Sequence, residues 1–265
     1  MSRIPELDAK ALARHCAAAL AAHPTGGRFA ALAVGPTDPT ADVARTVAPS
    51  SATEHDVNSI FMIVLDRRTG LPAGVGQVVR GGGRALDDGP ERIGRDLSAV
   101  VEAHGLHDGG AIWDLATLSV LPDYRNDRSA VTVSALLYRL LLRAGQRADV
   151  RHLVALLDQR AHSELTLLGF PFVPMAGAEP AGGVHAVYAP FAAVEPAIAA
   201  QGRRLRRLTG PFAGHLPARG LRRLPARRFA ARLSDQVATG RDLDEHILLP
   251  GLERRRYRGL RSPSA

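Results

Sequence analysis

The chain has 265 residues, 46% hydrophobic and 23% charged, which is enough for one full α/β domain with an appendage or for two small domains. A lone cysteine, Cys16, excludes an intrachain disulfide framework and a multi-cysteine metal site, and no uncharged apolar run reaches the roughly 18 residues of a bilayer-spanning helix. Charge is uneven: residues 201–265 hold 16 Arg, no Lys and 5 acids, whereas the first 200 carry a net −3, so the pI of 10.8 does not mark the whole protein as a nucleic-acid binder.

Residues 7–22 repeat apolar positions with helical spacing and stop at Pro24, Gly26 and Gly27. Glu6, Asp8, Lys10, Arg14 and His15 deny this segment the apolar centre of a secretory signal, so a retained helix in a soluble, cytoplasmic protein is expected. A strand follows at 29–34, then a helical turn after Pro36 and Pro39, and a polar loop at 49–58 that is expected to face substrate. Residues 60–65 and 72–79 read as a hairpin turning at Arg67-Arg68-Thr69-Gly70. Its second arm leads into Gly81-Gly82-Gly83, yet a dinucleotide fingerprint would need its third glycine at Val79. One helix is expected over 91–104, then a strand at 112–120, a helix at 129–144, a strand at 152–157 and a helix at 160–168. The crossover from Val120 to His152 is long enough to make its two strands parallel. Short strands at 172–173 and 183–188 and an amphipathic helix at 194–208 complete the pattern, with a boundary near residue 200 dividing a domain at 1–200 from a basic extension at 201–265.

The chemistry concentrates in Trp113-Asp114-Leu115-Ala116-Thr117-Leu118-Ser119-Val120-Leu121-Pro122-Asp123-Tyr124-Arg125 and the helix behind it. A strand that turns into a helix N-terminus presents unpaired N–H groups suited to a pyrophosphate, and Arg125 and Arg128 add charge-assisted bonds. The segment resembles the acyl-CoA motif of the GNAT superfamily, strand then Leu-x-Val-x-Pro-x-Tyr-Arg, and the resemblance continues through 153–157, Ala161 and Leu168-Gly169-Phe170. It covers about residues 110–190.

The resemblance implies an α/β fold with a GNAT-like mixed central sheet, flanking helices, and a thioester held where two parallel strands splay. It implies N-acyltransferase activity from acetyl-CoA, a longer acyl-CoA or an acyl carrier protein to an amine or amino-acid acceptor, with no metal. Leu118, Ser119 and Val120 would align the pantetheine, and Arg125, Asn126, Asp127, Arg128, Ser129 and Ala130 would hold the pyrophosphate. Asp114 occupies the place of a strand carboxylate that acts as general base; its alternative role is to cap the strand start or pair with an arginine. Three departures stand out: Arg128 replaces a glycine of the phosphate turn, Leu165 replaces a tyrosine that protonates the leaving thiolate, and Asp158 replaces an asparagine.

His107, Asp108 and His162 are further proton-transfer candidates, although lone histidines more often serve neither as ligand nor as catalyst. Glu54-His55-Asp56 has metal-like composition but reads as a solvated loop, and Ser134 and Tyr138 read as packing. The arginine pairs after residue 200 could meet an anionic membrane, an acidic carrier protein or a nucleic acid, the last disfavoured by few aromatics; a solubilising cover on the core is the plain alternative. A non-catalytic acyl-CoA-binding or protein-interaction module with a basic tail is the alternative to an enzyme.

Overall fold

The computed structural model describes residues 8–24, 26–48, 53–107, 111–125, 127–177, 179–209, 224–240 and 244–249. In chain order the elements are α1 (Ala9–Ala22), β1 (Phe29–Val34), α2 (Ala41–Val47), a 3-10 turn (Thr53–Asn58), β2 (Ser59–Asp66) and β3 (Leu71–Arg80). Three short helices follow, α3 (Gly83–Leu86), α4 (Gly89–Ile93) and α5 (Ser98–Ala103), then β4 (Ile112–Val120), a 3-10 turn (Pro122–Tyr124) and α6 (Asp127–Arg147). The remainder is β5 (His152–Leu157), α7 (Gln159–Leu168), β6 (Val173–Pro174), β7 (His185–Pro190), α8 (Phe191–Thr209), α9 (Leu224–Thr239) and β8 (Asp244–Leu248).

All eight strands form one sheet in the order β6-β7-β5-β4-β3-β2-β1-β8. Strands β1 to β4 are an antiparallel meander, β5 lies parallel to β4, and β8 lies parallel to β1. Period-2 alternation sorts side chains to two faces. Ile60, Met62, Val64, Trp113 and Leu115 point to the face packed with Val133, Leu136, Leu137 and Leu140 of α6. Phe61, Ile63, Leu65 and Val75 point the other way, onto Cys16 of α1 and Val43 of α2. On that same face Ile112 and Val154 pack with Ala85, Ile93, Leu97 and Leu106, so two apolar clusters flank the middle of the sheet.

The strand at 112–120 and the parallel crossover match expectation. The helix expected over 91–104 is instead two helices, because Gly94 adopts φ 65 and ends α4. The boundary expected near 200 falls inside α8, and α9 packs on α6, α7 and α8, with Leu205, Ala230 and Ala231 forming a small buried cluster. No helix among the described residues is long and apolar enough to cross a membrane.

Gly74 of β3 marks the closest approach of α6 to the sheet. A Cβ there would lie 2.5 Å from Val133 Cγ1 and 3.2 Å from Leu137 Cδ1, both buried side chains. Gly74→Val is therefore expected to cost about 2–3 kcal/mol through overpacking, read as a lowered denaturant midpoint at unchanged slope.

Candidate active site

Strands β4 and β5 pair over three rungs only, Ile112 with His152, Trp113 with Leu153 and Asp114 with Val154. Beyond them β4 keeps pairing with β3 as far as Val120, and β5 keeps pairing with β7 as far as Leu157, so the two parallel strands part in a V. The edge of β4 that faces β5 from 115 to 120 consequently has no strand partner; side chains of Arg84 and Arg125 serve the Ala116 and Val120 carbonyls of this stretch, and backbone polar groups left over take a ligand or water. Burial follows the same break: residues 112–115 are buried and 116–120 half-buried. Leu118 and Val120 of this stretch, Tyr138 of α6 and Ala161 of α7 are partly buried and pack against the main core. Ser119 is half-buried. A β-bulge sits at the vertex, since Gln77 opposes Thr117 and Val78 opposes Leu115, which leaves Ala116 as the extra residue.

Asp114 stands on the last shared rung and is fully buried. Its Oδ2 accepts a hydrogen bond from the Ala85 backbone N–H at 3.1 Å, and Arg84 Nε lies 3.8 Å from the same oxygen. Oδ1 is buried and accepts no hydrogen bond from the protein. Burial pushes the Asp114 carboxyl up to about 6, against the opposing pull of Arg84, the Ala85 and Arg84 backbone N–H groups and His55.

Two rungs along the same face of β3 lies Gln77, the one polar side chain buried in that strand. Its Nε2 donates to Ser59 Oγ at 2.8 Å and to Asp56 Oδ1 at 3.2 Å, while Asp56 accepts from Arg45 Nε at 3.0 Å. This network fixes the 3-10 turn over the sheet and holds His55 3.4 Å from Asp88. Asp114, Gln77, Arg84 and His55 thus form a polar centre between the two apolar clusters. Sequence reasoning missed Arg84 and Gln77. A lone glutamine within an apolar strand was a readable signal; Arg84 gave none, since its contacts span about thirty residues.

At the far end of β4, Arg125 is exposed and its Nε donates to the Val120 carbonyl at 2.9 Å, so the guanidinium folds onto the strand end. The Tyr124 hydroxyl meets Thr69 Oγ1 at 3.0 Å and ties the turn to the hairpin. Ser129 is half-buried and Ala130 buried near the start of α6. Asn126 and the side chains of Asp127 and Arg128 lie outside the described residues, as do Asp108 and the side chain of Glu54. Leu165 is buried in the main core, and Asp158 caps α7 by accepting from the Ala161 N–H at 2.7 Å. His162 stacks on His185 with 4.0 Å between ring centroids, and burial together with His185 lowers its pKa. His107 is exposed. Ser134 is half-buried, and burial raises the Tyr138 phenol. The described residues contain no group of three side chains able to hold a metal ion.

No family model matches the chain, and no curated protein matches it. Among solved structures it is similar to BjaI, a CoA-dependent acyl-homoserine lactone synthase solved with SAM and isopentyl-CoA, at 10% identity over 66% of this chain and 89% of that one, with a TM-score of 0.46. It is similar to MesI, another CoA-dependent acyl-homoserine lactone synthase, at 13% identity over 68% and 96%, with a TM-score of 0.43. It is also similar to FeeM, an N-acyl amino acid synthase from uncultured soil microbes, at 13% identity over 71% and 88%, with a TM-score of 0.38. With helices on both faces of a mixed sheet and the parallel pair β4 and β5 parting after three rungs, the chain has a GNAT-like α/β fold.

Proposed function

We propose that the protein is an acyltransferase that moves an acyl group from an acyl-CoA, or an acyl carrier protein, to an amine, with Asp114 as the general base. The observation that carries this reading is the position of Asp114: a buried carboxyl with one oxygen unbonded, at the vertex where β4 and β5 separate. The unpaired edge of β4 fits an extended pantetheine arm, which needs alternating backbone donors and acceptors. In this arrangement the phosphate end leaves past Val120 toward Arg125, the N–H groups at the start of α6 and Arg128.

Only an uncharged amine attacks a thioester, so an ammonium acceptor must first lose a proton. Asp114 Oδ1 accepts it through a water, because the carboxylate is fully buried. The amine lone pair then forms the new C–N bond, and as the tetrahedral intermediate collapses the C–S bond breaks and the nitrogen's second proton passes through water to the departing CoA thiolate, leaving a neutral amide and CoA thiol. Leu165 offers this thiolate no proton, so alignment at the vertex supplies most of the acceleration.

Titration calorimetry with acetyl-, hexanoyl- and palmitoyl-CoA tests the donor site. Saturable binding is expected, weakened at least tenfold in the Arg125→Ala, Arg128→Ala double variant, and the ranking of the three ligands gives the acyl length. Absence of binding to any of them removes the CoA reading. Binding without turnover across an amine screen points instead to a non-catalytic acyl-CoA-binding module.

A further inference from the structure

Gly81, Gly82 and Gly83 have φ of 92, 86 and 40, three successive left-handed residues that turn the chain back over the end of β3. The Gly81 N–H donates to the Ile112 carbonyl at 2.8 Å and clamps this turn to the start of β4. A Cβ on Gly83 would lie 2.8 Å from Val79 Cβ and 3.2 Å from Asp114 Oδ2, so the backbone has room beside the carboxylate only as glycine. The turn delivers Arg84 and Ala85 onto Asp114. The Ala85 N–H binds Oδ2, and the Arg84 side chain crosses β4 with its Nη2 donating to the Ala116 carbonyl at 3.0 Å and its Nε 3.8 Å from Asp114 Oδ2. The glycine triplet thus cradles a carboxylate of the protein itself, a role its sequence pattern does not announce.

Ala116 is the bulged residue of β4, and Asp114 stands two residues before it on the last rung shared with β5. One guanidinium therefore touches both features that define the vertex. We propose that Arg84, delivered by the Gly81-Gly82-Gly83 turn, is a positioning residue of the acyl transfer: it fixes the bulge carbonyl and keeps the Asp114 carboxylate charged for deprotonation of the acceptor. This rests on the reading of Asp114 as the base. The groups facing Asp114 are Arg84 and the Arg84 and Ala85 backbone N–H groups from α3, and His55 from the 3-10 turn, itself beside Asp88; Val79 and Val154 across the rungs are apolar. Of the charged partners Arg84 is foremost, and it is only 12% exposed, so solvent screens it little.

The test is a carbon-13 NMR titration of the aspartate carboxyls in the full chain, assigned with Asp114→Asn, alongside the pH profile of kcat/KM. In Arg84→Gln the Asp114 midpoint is expected to rise by about one unit or more, and the acid limb of the rate profile to rise with it. For a one-unit rise, activity would then fall about twofold near pH 7 and about fivefold near pH 6, and recover toward wild type by pH 9. Arg84→Lys is expected to keep the midpoint closer to wild type while kcat falls, since an ammonium cannot span both oxygens as the planar fork does. An Asp114 midpoint unmoved in both folded variants overturns the role of Arg84. An active Asp114→Asn enzyme would instead sink the base assignment and leave the titration result standing as a statement about Arg84 alone.

Discussion

Asp114→Asn is expected to lower kcat/KM for amine acylation by about 10²–10⁴ at pH 7 while leaving acyl-CoA affinity within a few fold of wild type. The split follows from geometry. The carboxylate lies on one face of the sheet, bonded to the α3 turn, whereas the proposed donor path runs along the β4 edge and the start of α6, so on this proposal the carboxyl oxygen takes the acceptor's proton and does not hold CoA. With Asp114 raised to about 6, the wild-type enzyme gains activity as pH rises through 6. The sign is that of a base: the protonated carboxyl, dominant below 6, cannot accept a proton. Asparagine should abolish this acid limb, and steady-state rates from pH 5 to 9 read both effects. An Asn variant with wild-type rate would remove Asp114 from the chemistry.

The same substitution is expected to stabilise the fold. A carboxyl whose folded pKa is raised from 3.8 to about 6 binds more protons folded than unfolded between those values. Stability contributed by the neutral form is therefore complete below about pH 4 and lost as pH rises through 6. A rise of roughly two pH units corresponds to about 3 kcal/mol, incurred at neutral pH by a residue that is almost wholly buried. Asparagine carries no such charge, so Asp114→Asn should raise Tm at pH 7.5, with the gain disappearing near pH 4. On the proposed role of Asp114, this cost at the vertex of the sheet follows the trade of stability for function seen at active sites. A purely structural Asp114–Arg84 pair predicts the reverse, a Tm that falls on substitution at every pH above 4.

The central motif was legible because its signals are local. The run from Trp113 to Asp127 places a strand, a Pro-led turn and a helix start within fifteen residues, and the parallel crossover to His152 follows from length alone. Asp114 could be picked out as a strand carboxylate, but its burial and its orphaned oxygen depend on α3 returning over β4, a contact between residues about thirty positions apart. The three glycines illustrate the limit: composition reads them as a phosphate loop or as nothing, and only their left-handed backbone shows that they aim Arg84. Strand β8 was missed for a related reason. It is a short, half-polar segment whose partner, β1, lies more than two hundred residues earlier.

Removing residues 224–265 is expected to leave an insoluble or molten chain, although charge alone marks this region as an appendage. Its arginines and its apolar positions separate by face: Arg228 and Arg232 are exposed on α9, whereas Ala230, Ala231, Leu233 and Val237 are buried. Leu233 and Val237 belong to the main core, Leu205 of α8 packs beneath Ala230 and Ala231, and the buried Arg139 of α6 donates to the Val237 carbonyl at 3.2 Å. Losing each Leu- or Val-sized contact costs about 1.5–3 kcal/mol, and leaving a buried guanidinium short of an acceptor costs more, against a total stability on the order of 5–15 kcal/mol. Truncation would also turn β1, every residue of which is buried, into a sheet edge by removing β8. Removing only residues 250–265 takes away none of these contacts and should shift Tm by no more than a few degrees. Circular dichroism melts of the two truncations decide the matter. A 1–223 chain that melts cooperatively and still binds acyl-CoA would make the basic region separable, and its arginines would then be free for a partner; aggregation of that chain beside a stable 1–249 makes α9 and β8 structural members of the α/β core.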